Sequence, residues 1–146
     1  MCMYVDDEFT EEMAMKFAVD GTKSITVWKW VLFEPLSNPD QNECFSPYYH
    51  YIWSVGEHKA KQPKKLKLYQ INCLDFGVFH AYPIHQTCVN KLKFGVDNPN
   101  ATILALQVNV EDIVGYSNFE RRSEEIAFRK CTVTEESYKK ACTRRM

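Results

Sequence analysis

The run Ile25-Thr26-Val27-Trp28-Lys29-Trp30-Val31-Leu32-Phe33 constrains the fold more than any other stretch of the chain. It is dense in β-branched and aromatic side chains and apolar on both faces for much of its length, so it reads as a strand with packing on either side. A strand of that kind belongs at the centre of a sheet. Lys29 is its anomaly. Lysine is rarely buried, so it extends its ammonium to solvent, pairs with a carboxylate or faces a ligand cleft.

One such strand needs a full core around it, and the 146 residues, 45% hydrophobic and 14% aromatic, suffice for one domain. The formal net charge of -1 argues against a protein whose main partner is a nucleic-acid backbone. No apolar run approaches the roughly 18 residues that cross a bilayer. The opening MCMYVDDEFTEEM is acidic where a signal peptide is basic, so a cytoplasmic protein without membrane association is expected. Cys2, Cys44, Cys73, Cys88, Cys131 and Cys142 are scattered, and in that compartment they read as reduced thiols.

Periodicity and punctuation place the remaining elements. Thr10 is a plausible N-cap for a helix within an N-terminal segment, 1–22, that ends at Asp20-Gly21. Residues 57–67, EHKAKQPKKLK, read as a basic loop. Pro83 predicts a strand or loop ending at Tyr82 and a short helix over 84–94, stopped by Gly95. Residues 101–110 alternate as a strand with Leu104, Leu106, Val108 and Val110 on one face. Glu111 to Gly115 read as a single helical turn, and Glu125 to Val133 as the last strand. Thr134 caps a C-terminal helix within 134–146, with acids at its start and bases at its end. The expected fold is α+β: a single domain with a mixed or largely antiparallel sheet and short peripheral helices.

Two stretches concentrate chemistry. Leu74 to Val89 holds Gly77, His80, Tyr82, His85 and Cys88, and Phe45 to Trp53 holds Tyr48, Tyr49, His50 and Trp53. Large rings with polar tips suit either a core with satisfied hydroxyls or a stacking pocket. His80, His85 and Cys88 are metal-ligand types, but a structural site needs four ligands and the chain offers no second close pair, so no metal is expected.

The order of Trp28-Lys29-Trp30, Ser46-Pro47-Tyr48-Tyr49 with Trp53 and Gly56, Gly77 to Tyr82, Ile103 to Val108 and Glu125 to Arg129 resembles a loosely defined group of small uncharacterised phage and bacterial proteins. The same order is distantly similar to the ADP-ribosyltransferase fold. That resemblance implies a nicotinamide pocket lined by Gly77 to Tyr82 and a catalytic acid at Glu124 or Glu125, with Lys29 where the family carries Arg or His.

These features rank the functions. The first expectation is a phage- or prophage-type binding module, with counter-defence as a setting. It would engage a host protein or a nucleotide-like ligand through Tyr48, Tyr49, His50, Trp53, His80, Tyr82 and Lys29, without a cofactor. The alternative is an ADP-ribosyltransferase-like enzyme, active or degenerate, acting on NAD through Glu125. A structural or self-assembling protein is a third reading.

Overall fold

The computed structural model describes residues 3–4, 23–34, 43–46, 51–60, 73–74, 79–95, 98–117 and 124–143. The long apolar run forms β2 (Ser24–Glu34). It is flanked in chain order by β1 (Met3–Tyr4) and by β3 (Glu43–Ser46), β4 (Tyr51–Trp53) and β5 (Gly56–Lys59). β6 (Cys73–Leu74), β7 (Phe79–Ala81) and helix α1 (His85–Gly95) follow. β8 (Ala101–Asn109) passes through a 3-10 turn at Val110–Asp112 into β9 (Ile113–Ser117). β10 (Glu125–Phe128), β11 (Lys130–Val133) and helix α2 (Glu135–Thr143) complete the order. Every strand ladder among the described residues is antiparallel, which with two short helices is compatible with the expected α+β class. No described helix is long and apolar enough to cross a membrane.

β2 is central as its composition requires: β8 pairs with it from Ser24↔Asn109 to Leu32↔Ala101. The sheet runs β4-β3-β2-β8-β11-β5, yet its outermost strands are consecutive in the chain, with only Ser54 and Val55 between them. In a flat sheet, strands at opposite ends of a six-strand order lie ~24 Å apart, at ~4.8 Å per spacing. The step from Trp53 to Gly56 spans at most ~11 Å. The sheet therefore curls until its edges meet. At this seam Gly56 takes a φ of 121°, a left-handed conformation that favours glycine.

The expected last strand is two strands. Ile126 and Phe128 belong to the core cluster, as do Cys131 and Val133, while Ala127 is equally buried but outside that cluster, so the core-facing positions shift from even to odd numbers at Arg129. One residue must leave the alternation for both pairs to point inward. Asp112 fixes the break: its carbonyl accepts from the Arg129 N–H at 2.9 Å, and its carboxylate accepts from Arg129 Nε at 3.1 Å. β10 consequently joins a second sheet, β7-β10-β9, while β11 stays in the first. A bridge ties this second sheet back to β2, where Trp28 and Tyr82 exchange two backbone hydrogen bonds of 2.8 Å.

The core lies inside this curl, where Ile25, Val27 and Val31 of β2 meet Leu104, Leu106 and Phe128, all at most 1% exposed. Burying each such side chain contributes roughly 1.5–3 kcal/mol. Two other expectations change. Glu57 to Lys59, read as the start of a basic loop, belong to β5, because β11 offers them a ladder partner from Thr132↔Glu57 to Lys130↔Lys59. Ile113 to Gly115, read as part of a helical turn, extend as β9 against β10. The N-terminal helix and residues 61–67 of the basic segment lie outside the described residues.

Candidate functional site

The aromatic cluster expected as a recognition surface divides. Tyr48, Tyr49 and His50 lie outside the described residues. Trp53 is 1% exposed, so it presents nothing to a partner and must be reassigned to the core. Its indole Nε1 donates to Ser46 Oγ at 2.9 Å, and its ring lies 4.8 Å from Tyr51, 5.0 Å from His58 and 5.1 Å from Phe79. Rings from separate parts of the chain do gather, but they fill the interior where β4, β5 and β7 converge. His58, which sequence reasoning left in a loop, is held on both nitrogens. Nε2 donates to the Ser54 carbonyl at 2.7 Å, so the neutral ring's Nδ1 accepts the Tyr51 hydroxyl, also at 2.7 Å.

Lys29, His80 and Glu125 do come together. Alternation on β2 sends Lys29 to the same face as Val27 and Val31, which are both 0% exposed. Its Nζ donates to the His80 carbonyl at 2.9 Å. Burial lowers the amine's pKa, and the Glu125 carboxylate opposes that shift, followed by Cys88 and Cys131. His80 Nδ1 lies 3.8 Å from Glu125 Oε1, too long for a hydrogen bond and an ion pair only with a protonated imidazole. Tyr82 is half-buried and fixes the backbone of Trp28.

A groove of about 730 Å³ opens on the other face of β2 and β8. The register sets its floor: Thr26 lies across from Gln107 and Trp28 across from Ala105, with Ile103 beside them. Gln107 Nε2 donates to Thr26 Oγ1 at 3.0 Å. α1 brings His85 to one wall, edge-on to the Trp28 ring at 5.2 Å and 66°. α2 supplies Thr134, Ser137, Glu136 and Lys140 on the other. Thr134 caps α2 as its sequence implies, accepting from the Ser137 N–H at 3.1 Å. The Glu136–Lys140 pair spans 3.5 Å with both side chains about four-fifths exposed. His80, Tyr82 and Glu125 do not line this groove. Trp28 and Gln107 went unremarked as site residues, although alternation from Lys29 already places Trp28 on the opposite face.

The arrangement offers a ring edge, an apolar floor, an amide, hydroxyls and an exposed ammonium. Those groups orient and hold a ligand. Among the described residues no group of three or more His, Cys, Asp or Glu side chains is placed to hold a metal ion. Comparison with protein-family models, with curated proteins and with solved structures gives no match.

Proposed function

We propose that this protein is a binding module and that the Trp28–His85 groove takes a nucleotide-like ligand: a planar heteroaromatic ring with an anionic tail. The observation that carries this reading is the indole of Trp28, braced by His85 at 5.2 Å and bordered by Ala105 and Ile103. Such a surface favours a flat ring, and stacking on an aromatic side chain is worth roughly 1–3 kcal/mol per base. Gln107 has an amide hydrogen beyond the one given to Thr26, which suits the polar edge of a base. Among the described residues Lys140 pairs with the exposed Glu136, a weak interaction that an incoming anion displaces readily. Within this reading Tyr82 acts through the backbone, fixing where Trp28 stands.

An ADP-ribosyltransferase-like reading draws on the convergence of Lys29, His80 and Glu125. It is the second choice because those side chains do not line the groove that a ligand as large as NAD would occupy. Calorimetric titration with adenosine, AMP, GMP and NAD separates the two. The binding module predicts saturable heat with AMP, lost in Trp28→Ala and weakened by Lys140→Ala for AMP but not for adenosine. Absence of heat with every compound, or binding undiminished by Trp28→Ala, overturns the proposal. Nicotinamide release from NAD that Glu125→Gln abolishes supports the enzyme instead.

A further inference from the structure

The α2 wall of the groove carries opposite charges one helical turn apart. Glu136 and Lys140 both line it, with carboxylate and ammonium 3.5 Å apart. With the imidazole of His85 counted as neutral, the described lining residues therefore sum to no net charge. Side-chain donors on this wall are equally few. Thr134 gives its hydroxyl hydrogen to Ser137 Oγ at 2.9 Å, and Thr143 gives its own to the Lys139 and Lys140 carbonyls at 2.9 and 3.3 Å. What is left for a ligand is the hydroxyl hydrogen of Ser137 and the ammonium of Lys140. Positions 137 and 140 are neighbours on one helix face, so the two donors converge on one small group.

We infer, resting on the nucleotide reading of this groove, that Glu136 is a specificity-determining residue that confines the ligand to nucleotides with a single phosphate and rejects polyphosphate tails. The first phosphate displaces the carboxylate from Lys140 and takes that ammonium together with the Ser137 hydroxyl. Further phosphates find no second cation among the described lining residues. They meet instead the freed carboxylate of Glu136 and that of Glu135, which share the first turn of α2. Like charges at such range repel, most strongly at low ionic strength. The chain as a whole, with a formal net charge of -1, supplies no field to offset this. The Glu136 side chain is about four-fifths exposed, so its replacement changes charge without disturbing the core.

The test is calorimetric titration of the full chain with AMP, ADP and ATP at low ionic strength without divalent cations, repeated with Glu136→Gln and Trp28→Ala. The wild-type protein is expected to bind ATP several-fold more weakly than AMP, with ADP between them, and added salt is expected to narrow the gap. Glu136→Gln is expected to strengthen ATP binding several-fold and AMP binding by a smaller factor. ATP bound as tightly as AMP by the wild-type protein, or one common factor for both in Glu136→Gln, overturns the inference, while AMP binding that Trp28→Ala abolishes leaves the nucleotide reading standing. Absence of heat with all three compounds overturns both.

Discussion

Tyr51 and His58 stand on the first and last strands of the six-stranded order, and a 2.7 Å hydrogen bond between the phenol and the imidazole joins them. That contact pins the two outermost strands together across the seam. His58 is 7% exposed, and its other nitrogen already donates to Ser54. Tyr51→Phe therefore leaves a buried acceptor without a donor, at a cost of about 1–2 kcal/mol. Urea denaturation with an unchanged m-value is the expected signature.

Gly56 gives a cleaner test of the same seam. A Cβ placed there meets nothing within 4 Å, so Gly56→Ala adds no clash and reports the backbone alone. Its φ of 121° is a conformation that L side chains rarely adopt, and the variant is expected to lose about 1–2 kcal/mol. A melting temperature equal to the wild type contradicts this conformation.

The bend between β10 and β11 depends on Asp112, which is 7% exposed and engages both the backbone and the side chain of Arg129. Asp112→Ala removes the acceptor of the Arg129 side chain, and the expected loss is about 1–3 kcal/mol. Amide hydrogen exchange is expected to rise at Arg129 and in the flanking ends of β10 and β11 more than in β2.

The parts of the fold that were legible from sequence are those fixed by local pattern. β2, expected over 25–33, runs Ser24–Glu34, and the helix expected over 84–94 runs His85–Gly95. Thr134 caps where its hydroxyl and position imply. The parts that were not legible depend on distant partners. β5 exists because β11 lies beside it, and nothing within Gly-Glu-His-Lys announces a strand. The change of phase at Arg129 was written in Ile126, Phe128, Cys131 and Val133, but it reads as a break only if inward positions are tracked through the whole run. The site divides in the same way. Lys29, His80 and Glu125 were singled out and do converge, whereas Trp53 was placed on a surface that the curl of the sheet turns inward.

The pH dependence of stability separates Lys29 from the thiols. The folded state lowers the Lys29 pKa below its ordinary 10.5, so between the lowered value and 10.5 the unfolded chain binds more protons and stability rises with pH. Burial acts oppositely on Cys44 and Cys131, each pushed up to about 12 from 9.0. Cys142 is also raised from 9.0, and Tyr51 from 10.0. There the folded state holds the extra protons, so stability falls as pH climbs past 9. Lys29→Met is expected to remove the rise that Lys29 contributes below pH 10.5 and to leave the thiols' fall past pH 9 in place. Chemical denaturation at intervals from pH 6 to 11 measures both limbs.

Whether a flat anionic ligand is held against Trp28 is read by titrating AMP into isotope-labelled protein and following the amide and indole resonances. Saturable shifts are expected at Trp28, His85, Ala105, Gln107 and Ser137, with the Trp28 indole N–H among the most affected. Saturable shifts confined to the Lys29, His80 and Glu125 corner, or none at millimolar AMP, contradict it.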